Sequence, residues 1–129
     1  MADSRRQLGA WGERFAADYL ERAGYEIVAR GWRCARGEID VVAAWGETLV
    51  IVEVRARRGD ARGSAEESVT PAKQRRLALL TESYLEARRL AGAPWPGPYR
   101  IDVIAIALDR AGALLRLNHL EAAVGADGW

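Results

Sequence analysis

Two stretches of the chain, Gly37-Glu38-Ile39-Asp40 and Val52-Glu53-Val54-Arg55, set acidic side chains inside hydrophobic runs. A buried carboxylate is costly unless an opposite charge accompanies it, so these acids demand a reason. Between them lie Val41-Val42-Ala43-Ala44-Trp45, then Gly46-Glu47, then Thr48-Leu49-Val50-Ile51-Val52. Two β-forming runs separated by two residues that include glycine predict a hairpin. With Gly46 and Glu47 as the loop, Asp40 falls opposite Glu53 and Glu38 opposite Arg55, all four on one face. Directly opposed side chains lie about 4.5–5.5 Å apart at Cβ, and like charges there repel. Two arrangements relieve that repulsion. A divalent cation held by carboxylate oxygens would supply a Lewis acid with open positions for water and substrate. Alternatively, Arg55 neutralises the acids and the cluster only ties a sheet together.

The first arrangement would suit phosphodiester hydrolysis among other metal-assisted reactions, since that reaction needs an activated water, a metal on the phosphate and stabilisation of charge building on oxygen. Asp40 and Glu53 would hold the metal, with the backbone carbonyl of Val54 as a further oxygen ligand. Arg55 would orient the water and stabilise the transition state. Such oxygen ligands suit Mg²⁺ or Mn²⁺ better than Zn²⁺. Arg55, Arg57, Arg58 and Arg62, with Lys73, Arg75 and Arg76, concentrate positive charge around the loop and helix start that flank the acids. A phosphate backbone would be drawn there, and the helix N-terminus after Thr70 adds donors.

The elements that must position these residues are legible in outline. A chain of 129 residues suits a single domain spanning 1–129. Half its residues are hydrophobic, and Lys+Arg 19 against Asp+Glu 18 leaves a net charge of +1, so long-range attraction names no partner and a nucleic-acid binder needs a local patch. Cys34, the single cysteine, excludes an internal disulfide and is expected to be a small buried residue. The N-terminus lacks the apolar stretch of a signal peptide, and no run approaches about 18 apolar residues. The expectation is a cytoplasmic protein with no membrane partner.

Ser4 to about Ala23 has helical spacing of apolar residues, with Gly24 after its end. Gly9, Gly12 and Ala16 form a small-residue strip that lets this helix approach what it packs on, and Glu13 sits beside the strip. A strand follows at Tyr25–Arg30, with Gly31–Arg36 as its extension or the loop into the acidic hairpin, and a polar loop runs from Ala56 to Ser68 after it. Thr70-Pro71 supplies an N-cap and a first-turn proline for a helix ending near Ala91. Tyr99–Leu108 reads as an interior strand and Ala113–Leu117 as an edge strand. A strand, covering helix and strand form a right-handed crossover, so the Glu53 strand and the Ile101 strand should be parallel. The fold class is α/β, a mixed β-sheet flanked by helices in the order α-β-β-β-α-β-β. His119 is isolated and receives no catalytic role; Asp102 is expected to be structural, paired with Arg100 or a helix end.

Gly12-Glu13, Gly37-Glu38-Ile39-Asp40, Val52-Glu53-Val54-Arg55, Val69-Thr70-Pro71-Ala72-Lys73-Gln74-Arg75-Arg76 and Arg100-Ile101-Asp102-Val103 resemble, in order and spacing, the YraN family. The resemblance extends over nearly the whole chain to about Leu108. It implies a restriction-endonuclease-like core similar to archaeal Holliday-junction resolvases, whose signature is Asp, then Glu-x-Lys on the next strand, with an added helical Glu. Carried onto this chain, Asp40 and Glu53 would be metal ligands, Glu13 an additional ligand or water-positioning group, and Arg55 would stand at the lysine position. Gln74, in the Lys-Gln-Arg string, would contact the site or the nucleic acid. Because junction-cleaving enzymes of this fold work in pairs, the resemblance also implies a homodimer.

Position 55 departs from the signature. A lysine amine can lose its proton, whereas a guanidinium effectively cannot. Arg55 can therefore bind phosphate and orient water but cannot be a general base; Lys73, the only lysine, is the alternative amine. Two function classes follow: a metal-dependent endonuclease acting on DNA, branched and single-stranded forms included, or a catalytically silent nucleic-acid-binding or partner-recruiting module that keeps the fold.

Overall fold

The expected hairpin forms as β2 (Gly37–Trp45) and β3 (Thr48–Arg58), antiparallel, with Val41 opposite Val52 and Trp45 opposite Thr48. Gly46 turns the corner at φ +59, while Glu47 keeps a negative φ, the combination of a type II′ loop that needs glycine first. The computed structural model describes residues 4–59 and 63–124. Its remaining elements are α1 (Ser4–Arg22), β1 (Glu26–Cys34), a 3₁₀ turn at Glu66–Ser68, α2 (Pro71–Leu90), β4 (Tyr99–Leu108) and β5 (Leu114–Val124). The order α-β-β-β-α-β-β is the expected one.

The five strands form one sheet in sequence order. β3 and β4 are parallel, joined by α2 as the crossover, and the other neighbours are antiparallel. α1 covers one face, where Ala16 and Leu20 pack with Val41, Ala43, Val50, Val52, Ile104 and Ile106. α2 covers the other, where Leu77, Leu80 and Tyr84 pack with Ile39, Val42, Leu49, Ile51 and Ile101. Central strands covered on both faces must be apolar at every position. That explains why β2, β3 and β4 read as continuous hydrophobic runs.

The small-residue strip of α1 is used unevenly. A Cβ on Gly12 would lie 3.2 Å from the Ala56 Cβ, so the helix backbone presses on β3 there, whereas a Cβ on Gly9 would meet nothing within 4 Å. Thr70 caps α2 by accepting a hydrogen bond from the Lys73 N–H at 3.3 Å.

Two boundaries, those of β3 and β5, differ from expectation, and β1 takes the extended form of its two alternatives. β3 stays paired with β4 as far as Arg58 opposite Leu108, so Arg57 and Arg58 belong to a strand and not to the loop. The pairing extends because each further residue gains a ladder partner on a strand of matching length. β1 continues to Cys34 by pairing with Gly37, and β5 runs to Val124 past an irregularity where Ala122 adopts φ +52. Cys34 is a free, half-buried thiol beside the α2 cluster. Arg62 lies outside the described residues. Among the described residues no helix is long and apolar enough to cross a membrane.

Candidate active site

The β2–β3 ladder is regular from the turn to Val41 opposite Val52, then opens into a fork. Continued register would pair Val54 with Ile39. Instead the Val54 N–H donates to Asp40 Oδ2 at 2.8 Å. The reason lies in β2, where Ile39 packs on the α2 side and Val41 on the α1 side, although strict alternation would give them the same face. β2 keeps its register with β1 here, Arg30 opposite Val41 and Trp32 opposite Ile39, so β2 parts from β3 alone. Asp40 thereby enters the space a paired strand would fill. In an extended strand a residue's N–H and C=O point to the same neighbour, so the Val54 carbonyl opens on the same fork.

Carboxylates converge on this opening from three elements. Oxygens of Glu13 on α1 and of Glu38 and Asp40 on β2 lie within 4.8 Å of one another. Glu53, 7% exposed on β3, hydrogen-bonds Asp40 from the other side. The expectation that Glu38, Asp40, Glu53 and Arg55 share one face is corrected. Glu53 and Arg55 continue the Leu49 and Ile51 side toward α2, whereas Glu38 and Asp40 turn toward α1. Nor does Glu38 face Arg55; it pairs with Arg33 of β1 at 3.3 Å.

The electrostatics follow from crowding. Burial, then repulsion from Asp40 and Glu38, pushes the Glu13 carboxyl up to about 7, against some relief from Arg30 and Arg33. Burial and the adjoining Asp40 push Glu53 up to about 8, with Arg55 and Arg76 opposing. Burial also raises Asp40, offset in part by the Val54 N–H. Asp40 and Glu53 adjoin closely enough for a shared proton to relieve their repulsion. The donor set is all oxygen, and a hard divalent cation is the kind of ion whose chemistry fits it.

Cations ring the α2 side of the fork. Arg55 donates from Nε to Ser68 Oγ at 2.9 Å and approaches Glu53 Oε2 with Nη1 at 3.6 Å. Ser68 in turn donates to the Ala65 carbonyl, so the 3₁₀ turn sets the guanidinium's direction. Lys73 in the first turn of α2 lies in the field of Arg55, Glu53, Arg57 and Arg76; partial burial, then Arg55, lowers its pKa. Gln74, expected at a nucleic-acid surface, is instead 5% exposed and donates to the Val69 carbonyl at 3.1 Å. It fixes the start of α2. Ser68 carried no sequence signal, because a serine after two glutamates in a polar loop looks like solvated connection. Glu38 was visible, but its alliance with Glu13 depends on the approach of α1 to β2.

Asp102 is structural, as expected. Fully buried, it accepts hydrogen bonds from Arg100 Nε at 3.0 Å and the Ala122 N–H at 2.8 Å, and lies 2.8 Å from His119 Nε2. Burial works to raise its pKa, but the bonds from His119, Arg100 and Ala122 outweigh it and hold the carboxyl below its ordinary value. Tyr19 on α1 meets His119 Nδ1 at 2.9 Å. This network ties α1, which carries Glu13, to β4 and β5.

A family model described as Uncharacterised protein family UPF0102 matches residues 12–106, the stretch that spans every acid of the fork. The chain belongs to the UPF0102 family, the YraN family of the resemblance. A UPF0102 protein of Herpetosiphon aurantiacus is 53% identical over 122 residues, covering 95% of this chain and 97% of that one. UPF0102 proteins of Roseiflexus castenholzii and Chloroflexus aurantiacus are each 48% identical, over 124 and 127 residues, covering 96% and 98% of this chain and 98% and 100% of their own. The matched length is nearly the whole of this chain and of each of these relatives.

Proposed function

We propose that this UPF0102 protein is a divalent-metal-dependent nuclease that hydrolyses phosphodiester bonds in DNA, with branched and single-stranded DNA as the substrates to examine first. The observation that carries the reading is Asp40 in the β2–β3 fork, hydrogen-bonded to the Val54 N–H and to Glu53, with Glu13 and Glu38 converging on it. Sheet pairing is given up there in favour of crowded carboxylates, a cost that a metal centre accounts for and a salt-bridge cluster does not. The oxygen donors favour Mg²⁺ or Mn²⁺. Asp40, Glu53 and the Val54 carbonyl would hold the ion, with Glu13 and Glu38 at its margin. When bound, it supplies Lewis acidity at the scissile phosphate.

The protein's own groups do the rest. Arg55, aimed by Ser68, stabilises charge building on the phosphate oxygens. Because a guanidinium keeps its protons, the attacking water loses its proton to a carboxylate. Glu13, whose oxygens lie in the cluster beside Asp40, is placed to take it. Arg57, Lys73 and Arg76 contact flanking phosphates and set the position of the strand. A homodimer belongs to the same reading, and sedimentation of the full chain tests it.

Cleavage of linear, single-stranded and four-way DNA in Mg²⁺ or Mn²⁺ tests the reading. Wild type should cleave at least one of them, and Asp40→Asn and Glu53→Gln should each slow cleavage by about 100-fold or more. Equal behaviour of the three proteins rejects catalysis at the fork. Arg55 also motivates a second reading, a nucleic-acid-binding or partner-recruiting module without turnover, because its guanidinium is committed to Ser68 and Glu53. Under that reading wild type binds DNA without cutting it and Arg55→Lys gains metal-dependent cleavage.

A further inference from the structure

Beside the acidic fork, α1 and the far end of β3 enclose a groove of about 620 Å³. Arg5, Leu8 and Gly9 form the helical wall, and Val54 through Arg58 the strand wall. Arg5 on α1 and Arg58, on the Ala56 side of β3, bring positive charge to this cleft, Arg55 and Arg57 line it from the strand with side chains that alternate toward α2, and none of the lining residues is acidic. Among the described residues Arg5, Arg57 and Arg58 have no carboxylate within ion-pair distance. Guanidinium groups gathered in one cleft without counter-charge repel one another, and a polyanion relieves them.

We infer that this groove binds a single strand of nucleic acid through its phosphates, next to the segment that reaches the fork. Three features select that occupant. The groove and the fork share Val54 and Arg55, so a strand in one continues into the other. Val54 to Arg58 spans about 13 Å of extended backbone, long enough for consecutive phosphates and longer than one small anion needs. Leu8 and Ala56 add apolar surface between the charges, suited to sugars and base faces. A cleft of this volume is ligand-sized, on the scale of one strand's phosphates and sugars. The inference rests on the nuclease reading only in taking the strand onward to the fork.

Gly9 makes the test clean. It is exposed on α1, lines the groove and has open space where a side chain would go, so Gly9→Glu places a carboxylate in the groove without disturbing the core. Fluorescence anisotropy of a labelled single-stranded oligothymidine, in Ca²⁺ and across a salt series, reads binding apart from cleavage. Gly9→Glu should weaken binding by at least about tenfold through like-charge juxtaposition, with unchanged thermal unfolding. Arg58→Ala should reduce the slope of log affinity against log salt by about 0.7, and Arg36→Ala, remote on the surface beside α2, should match wild type. Wild-type affinity in both Gly9→Glu and Arg58→Ala overturns the groove, as does tighter binding of a duplex of the same length. Cleavage by wild type that Gly9→Glu leaves intact, with unaltered affinity, sinks the groove and keeps the fork. Groove-dependent binding without metal-dependent cleavage keeps the groove and sinks the nuclease.

Discussion

At the scale of residues, the fork exchanges sheet stability for reactivity, and that exchange is measurable through pH. Glu13 and Glu53 titrate in the fold near 7 and 8 but at ordinary carboxylate values once unfolded. Between about 4.5 and 8 the native state therefore holds more protons than the unfolded one, so stability falls as pH rises through that window. The melting temperature of metal-free protein should drop by several degrees from pH 5 to pH 8, and Glu53→Gln, which needs no ionisation, should flatten the decline. A melting temperature independent of pH in wild type would show the carboxylates to be uncrowded. Asp102 behaves in the opposite sense, since its lowered pKa adds stability that is lost only as the pH falls into the acid range. It contributes a constant across the window of the experiment. That Asp40 and Glu53 come near each other could be read from the hairpin, because a two-residue turn fixes which positions approach, but the end of the ladder at Val41 and their turning to different faces could not. Glu38 could not, since nothing in Gly-Glu-Ile-Asp-Val announces that Asp40 and Val41 both turn toward α1.

At the scale of elements, α1 and β3 are held together by absence of bulk, and two glycines on one helix predict opposite outcomes. Gly12→Leu must force α1 away from Ala56 and Val54 and is expected to cost about 1–3 kcal/mol, shifting Glu13 with it. Gly9→Ala meets no atoms and should raise stability by about 0.5–1 kcal/mol by removing a helix glycine. Denaturant unfolding of the two variants checks both signs, and equal effects would mean that the strip is not packed as described. Sequence spacing identified the strip but could not tell which of its glycines touches the sheet, because that depends on where β3 ends. The end of β3 was itself misjudged. Ala56-Arg57-Arg58 resembles a polar loop by composition, and only pairing with the full length of β4 keeps it extended. The crossover, the N-cap at Thr70 and the hairpin were legible because each rests on local chemistry: proline in a first turn, glycine in a two-residue loop, apolar runs of strand length.

At the scale of the whole molecule, a net charge of +1 conceals a strong separation of charge. Acids from α1, β2 and β3 meet in one fork, while arginines from α1 and β3 and cations from α2 border it on both faces of the sheet. Composition averages these fields to nearly nothing, which is why the acidic pair and not the overall charge pointed to function. The separation suits a polyanion brought to a metal, provided that the metal binds. Calorimetric titration of Mn²⁺ into metal-free wild type and Asp40→Asn at pH 7, in buffers of different ionisation enthalpy, measures affinity and proton release together. Wild type should show a saturable site whose filling releases protons, because Glu13 and Glu53 must ionise as the ion binds, and Asp40→Asn should lose that site. No saturable binding by wild type, or binding that Asp40→Asn matches, would contradict the metal centre.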